Sequence, residues 1–132
     1  MTTSRRPALA ALGWDETYEA AYASWANRVD RRPGRVSLAF NQNFRVVTDD
    51  GEVDAVAAGR LKHRAESQAA LPAVGDWVVV RQVAAGAQAV ITDLLPRRST
   101  LSRRGAGLAA AEQVVAANVD ILFIVMGLDR DY

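Results

Sequence analysis

The sequence predicts a mainly β protein built around a small closed barrel of five short strands, with a helix in front of it. Three observations carry that reading. Residues 33–96 break into short apolar runs, several of them of period two, separated by turn signals. Trp14, Tyr18, Tyr22 and Trp25 recur at spacings of four, four and three, which places them on one face of a helix. Of the 132 residues 50% are hydrophobic and 23% charged, enough to bury the core of one domain, or of one small domain plus a fragment of a second.

Taken in order, residues 1–11 show no clear periodicity and are expected to form a flexible N-terminus. The N-terminal helix is expected within residues 12–32. Asp15 and Glu16 stand where carboxylates favour a helix start, and the aromatic stripe reads as packing surface. Pro33-Gly34 ends the helix. Val36, Leu38 and Phe40 then alternate with Ser37, Ala39 and Asn41, the pattern of a half-buried strand. The polar Asn41-Gln42-Asn43 turns the chain into a second strand, from Phe44 through Val46 and Val47 to Thr48.

Asp49-Asp50-Gly51-Glu52 is a hairpin signal, because Asp-Gly tolerates positive φ. The third strand is expected over residues 53–61, with Gly59 as a bulge or bend, and residues 62–72 as a polar connection with one helical turn. Gly75-Asp76 opens a fourth strand over residues 77–81, apolar throughout and therefore expected to be buried on both faces. Asp76 suits a turn side chain that accepts backbone amides, and Trp77 suits the barrel core. Ala84-Ala85-Gly86 leads into a fifth strand over residues 88–95, stopped by Pro96. Five such strands suit an OB-fold, and an SH3-like barrel fits the same pattern. Residues 97–111 read as a basic linker, residues 109–117 as a short helix, and residues 120–126 as a buried strand with no partner in the sequence that follows.

Composition removes several function classes. There is no cysteine, and the single histidine, His63, cannot build a structural zinc site alone. The apolar run 121–126 is too short to cross a bilayer, and no signal-peptide stretch follows Arg5 and Arg6, so a cytoplasmic protein is expected. No nucleophile, base and acid fall into a catalytic pattern. The net charge is +1, and Lys62 is the only lysine among 16 basic residues. Arginine suits phosphate recognition through its planar fork, although biased codon usage gives the same composition.

Seven segments in fixed order resemble the RsgA (YjeQ) family of circularly permuted GTPases. They are Leu12-Gly13-Trp14-Asp15, Pro33-Gly34-Arg35-Val36, Phe44-Arg45-Val46 before Asp50-Gly51, and Gly59-Arg60-Leu61-Lys62-His63. The others are Leu71-Pro72-Ala73-Val74-Gly75-Asp76-Trp77-Val78, Leu95-Pro96-Arg97-Arg98-Ser99, and Glu112-Gln113-Val114-Val115-Ala116-Ala117-Asn118-Val119-Asp120. The resemblance implies an OB-fold barrel over residues 33–96, the linker 97–111, and over residues 112–132 the first helix and strand of a truncated α/β GTPase domain. It further implies a role in late maturation of the small (30S) ribosomal subunit, docking on 16S-type rRNA.

GTP chemistry is not implied for this chain. A phosphate-binding loop needs Gly-x-x-x-x-Gly-Lys-Ser/Thr, whereas Lys62 has Gly59 three residues before it and His63 after it. No second lysine exists for an Asn-Lys-x-Asp motif. GTP, magnesium and zinc are expected only in downstream sequence, and no GTP turnover is expected from this chain alone.

OB-folds bind oligonucleotides on strands two and three and the adjoining loops. That mapping selects Phe44 and Arg45 at the start of the second strand, with Asn43 in the polar loop 41–43 before it, and Arg60, Lys62 and Arg64 at the end of the third. Phe44 has a competing reading as core, and the basic residues one as an ordinary solvated face. Arg97 and Arg98, followed by Arg103 and Arg104, form a second basic cluster that is either a phosphate-contacting strap or a hinge. The expected partners are the small ribosomal subunit and its rRNA, with no membrane and a monomeric chain. The alternative is an interaction fragment that self-associates through the unpaired strand 120–126.

Overall fold

A computed structural model describes residues 6–64, 71–82, 87–104 and 112–121. Strands β1 (Arg31–Phe40), β2 (Asn43–Thr48), β3 (Gly51–Ala57), β4 (Trp77–Arg81) and β5 (Ala89–Leu94) close into a barrel in the order β1-β2-β3-β5-β4. β3 and β5 pair in parallel, and the other neighbours in the barrel are antiparallel. This order, with β4 inserted between β1 and β5, is a Greek-key closure and makes the barrel an OB-fold.

Closure depends on β1 serving two partners. Its first half pairs with β4, from Arg31↔Arg81 to Arg35↔Trp77, and its second half with β2, from Arg35↔Val47 to Phe40↔Asn43. The two pairings share Arg35, and at the neighbouring Gly34 an added Cβ would collide with Val46 Cγ1 and the Val47 carbonyl. The β1–β2 turn places Asn41 at φ 50° and Gln42 at φ 65°, the paired positive angles of a type I′ hairpin. In the β2–β3 turn the positive φ, 114°, falls on Gly51 rather than on Asp50. Thr48 Oγ1 accepts from the Asp50 amide at 3.2 Å and donates to the Gly51 carbonyl at 2.8 Å.

β4 is buried on both faces, as its apolar run predicts, because two cores meet on it. Val78 and Val80 point into the barrel with Val36, Val46, Ala89 and Ile91. Trp77 and Val79 point outward, against Leu9, Trp14, Tyr18 and Tyr22. Trp77 is thus buried outside the barrel lumen, a correction to its expected place. The N-terminal segment seals it there. α1 (Pro7–Ala10) carries the fully buried Leu9, so part of the expected flexible N-terminus is ordered helix. α2 (Glu16–Ala21) and a 3-10 turn (Ala23–Trp25) replace the single helix expected through residue 32, and β1 already begins at Arg31.

Asp15 caps α2, accepting from the amides of Thr17 at 3.0 Å and Tyr18 at 3.2 Å and pairing with Arg98 at 2.5 Å. The hydrogen bond from Arg98 and these amides hold its carboxyl below the usual aspartate range. A lowered pKa stabilises the fold above the unfolded value, and that contribution is lost as pH falls through the folded one. Asp15→Ala is expected to cost about 1 kcal/mol of stability at neutral pH through the lost cap. In urea titrations the gap to the unsubstituted chain narrows below about pH 4, where an ordinary aspartate protonates.

Beyond the barrel the observed elements differ from expectation. β3 ends at Ala57 and residues 59–61 belong to helix α3 (Gly59–Arg64), with Leu61 packed against the barrel interior. The linker contains β6 (Thr100–Arg104), paired antiparallel with β7 (Glu112–Ala117), which stands where a helix was expected. Residues 109–111 and 122–126 lie outside the described residues. Among those described, no helix is long and apolar enough to cross a membrane.

The β6–β7 pair is tied to the barrel by a bridge from Ala116 to Val74, with the Ala117 amide donating to the Val74 carbonyl at 2.8 Å, and by a polar junction. Arg35 donates to the carbonyls of Leu12 at 2.6 Å, Gly75 at 3.0 Å and Asn118 at 2.8 Å. Asn118 Nδ2 donates to the Gly75 carbonyl at 2.9 Å, and its Oδ1 accepts from the Arg98 amide at 2.8 Å. Gly75, at φ 93°, lies so close to the Ala117 carbonyl that a Cβ cannot be accommodated.

Candidate nucleic-acid interface

The outward surface of the β1–β2 hairpin follows from a bulge. Strict alternation from Val36 would turn Leu38 and Phe40 inward. The register shifts between Val36 and Leu38, so Val36 faces Val46 but Leu38 faces Arg45 and Phe40 faces Asn43. Leu38 is consequently 50% and Phe40 70% exposed. Ser37, the extra residue, donates to the Arg45 carbonyl at 3.3 Å.

The surface is therefore an exposed aliphatic residue, an exposed aromatic ring and polar groups on one two-stranded tip. Asn43 joins this tip to the β4–β5 connection, since Gln88 Nε2 donates to its Oδ1 at 3.1 Å. Arg45 faces out beside Asp54, with Nε 3.6 Å from Oδ1. Such an ion pair is worth little in water, and the guanidinium can exchange its partner for a phosphate.

The other expected site residues fall in different places. Phe44 is half-buried and packs against the barrel interior, which decides for its core reading. Arg60 is on α3, donating to the Thr92 carbonyl at 2.9 Å and to Asp93 at 3.0 Å. Lys62 and Arg64 lie on the same helix, and their side chains are outside the described residues.

Arg97 and Arg98 each pair with a carboxylate of the chain itself. Arg97 grips the fully buried Asp76 through Nε and Nη2, both at 2.8 Å, and donates to the Leu71 carbonyl at 2.9 Å. That hydrogen bond to Asp76 raises the Arg97 pKa. Asp76 also accepts from the Ala73 amide at 2.8 Å, the turn role its position suggested. Arg98 lies over the Tyr18 ring, 4.5 Å from its centroid, while pairing with Asp15. Residues 103–104 have side chains outside the described ones.

Sequence reasoning missed Leu38 and Phe40 as surface and Arg35 as a junction. The exposed aromatic was legible as a residue but not in phase, because nothing in Val36-Ser37-Leu38 marks the bulge. The sole lysine sits on α3 without a phosphate-loop motif, and no group of metal-ligating side chains occurs among the described residues.

No family model matches the chain. Individual proteins do. The small ribosomal subunit biogenesis GTPase RsgA of Opitutus terrae is 44% identical over 132 residues, covering 94% of this chain and 36% of that protein. The RsgA of Syntrophotalea carbinolica is 38% identical over 128 residues, covering 92% of this chain and 34% of the relative. The chain thus spans roughly a third of the length of these curated relatives. The crystal structure of YjeQ from Thermotoga maritima superimposes with a TM-score of 0.50 at 23% identity, over 68% of this chain and 28% of that one, a likeness of fold. Identity of this extent, on an OB barrel expected from the same residues, shows that the chain belongs to the RsgA family and corresponds to the N-terminal part of its members.

Proposed function

We propose that this chain is the RNA- and ribosome-binding OB-fold portion of a GTPase that assists late maturation of the small (30S) ribosomal subunit. It docks on 16S-type rRNA, and GTP hydrolysis resides in sequence outside this chain. On the same reading, residues 112–132 begin the GTPase domain. The observation that carries the reading is the β1–β2 tip. Phe40 is 70% exposed in a strand, held there by a bulge, beside Leu38, Asn43 and Arg45. An exposed ring next to a guanidinium is the combination that holds unpaired RNA bases by stacking and their phosphates by charge.

The relatives supply the class of RNA, since proteins named for small ribosomal subunit biogenesis share 38–44% of residues over nearly all of this chain. Phe40→Ala is expected to weaken binding to isolated small subunits by about 5- to 100-fold, the worth of one stacked base. The salt dependence should stay the same, because no charge is removed. Arg45→Ala should instead lower the log–log salt slope by about 0.7. Equal affinity of both variants and the unsubstituted chain, with unchanged melting temperatures, would sink the assignment of this tip.

A further inference from the structure

Four arginines meet in a polar cleft of about 400 Å³ away from the β1–β2 tip. Arg31 opens β1, Arg81 closes β4, Arg60 comes from α3, and Arg28 follows the 3-10 turn that ends at Trp25. All four line the cleft with Trp25, and the one carboxylate on its wall is Asp93, which already accepts from Arg60 at 3.0 Å.

Arg31 and Arg81 are register partners, directly opposite on adjacent strands. Like charges in that position repel and destabilise the pairing. Arg31 Nη1 is held at 2.7 Å by Asp30, which does not line the cleft, while its Nε is buried with no hydrogen-bond partner. A buried, unpartnered donor and a cation pair with one carboxylate between them are both costly, and an oxyanion would ease both.

We propose that this cleft is an oxyanion site that takes a phosphodiester of the RNA backbone, a second contact in addition to the hairpin tip. The inference rests on the ribosome-docking reading for its source of phosphate and on the cleft alone for its chemistry. Arg28 and Arg81 are exposed, so a phosphate carried on a long polymer can reach them. Trp25, half-buried at the wall, gives an adjoining base an aromatic edge.

Two measurements test it on the chain and on Arg81→Ala and Arg28→Ala/Arg81→Ala variants. The first is the melting temperature in inorganic phosphate against chloride at matched ionic strength. Phosphate should raise the melting temperature of the unsubstituted chain. Arg81→Ala should melt higher than it in chloride, where repulsion is relieved, and gain less from phosphate. A phosphate increment that is absent, or undiminished in the double variant, overturns the site.

The second is the salt dependence of co-sedimentation with isolated small subunits. The double variant should lose about 0.7 from the log–log slope, the share of the one phosphate the cleft holds. A lost phosphate increment with an unchanged slope overturns the RNA source and leaves a site for free phosphate. If the unsubstituted chain keeps its phosphate increment but binds no small subunits, the ribosome reading fails and the oxyanion site stands.

Discussion

Trp77→Ala is expected to lower the unfolding free energy by about 3–5 kcal/mol, measured by urea denaturation. Trp77 is 1% exposed, and it is the residue on which the N-terminal segment closes. Its ring meets Trp14 edge-on at 5.1 Å and Tyr18 at 5.3 Å, and the Arg35 guanidinium lies 5.4 Å from its centroid. Alanine would leave a cavity between two rigid layers, the barrel wall on one side and α1 and α2 on the other. The barrel interior, built from Val36, Val46, Val78, Val80 and Ile91, is a separate cluster. The variant should therefore lose protection from hydrogen exchange first in residues 6–25, with β2 and β3 holding longer. Uniform loss across the chain would contradict the two-core description.

Asp76→Ala is expected to be of similar size, about 3–5 kcal/mol, by a different route. Asp76 is fully buried and satisfies three donors, the Ala73 amide and the Nε and Nη2 of Arg97. Removing the carboxylate leaves the guanidinium in a partly buried place with its main counter-charge gone, and leaves the amide unpaired. Asp76→Asn keeps the shape and can satisfy the Ala73 amide, so it should cost less than alanine. Arg97→Lys should recover only part of an Arg97→Ala loss, because an ammonium cannot reproduce the two parallel bonds. The Asp76–Arg97 pair spans the fourth strand and the chain that leaves the fifth. The damage is therefore expected where residues 95–99 lead into β6 as well as in the barrel.

Local chemistry made much of this fold readable. The spacing of Trp14, Tyr18 and Tyr22 announced a buried aromatic cluster, Asp15 a helix start, and Asp50-Gly51 a hairpin. The order in which the strands close the barrel was not readable. A parallel β3–β5 pair joins strands distant in sequence, and five short strands with turns are equally compatible with another barrel. Where a helix was expected at 109–117, residues Glu112–Ala117 instead pair with β6, a tertiary contact that overrides the helix propensity of the alanines there.

The candidate site was legible in part. Asn43 and Arg45 face outward at the hairpin as the OB mapping suggested. Phe40 was assigned to the wrong face because one unmarked extra residue at Ser37 inverts the alternation. Arg97 could not be recognised as structural, since its partner lies 21 residues away and meets it only through the topology.

The central claim, an OB module that docks on the small ribosomal subunit, is tested most directly by co-sedimentation of this chain with isolated small subunits across a salt series. Large subunits serve as the control. The predicted result is selective binding to small subunits with a log–log slope of several units, each neutralised phosphate adding about 0.7. A folded chain that binds both subunits alike, or neither, would contradict it.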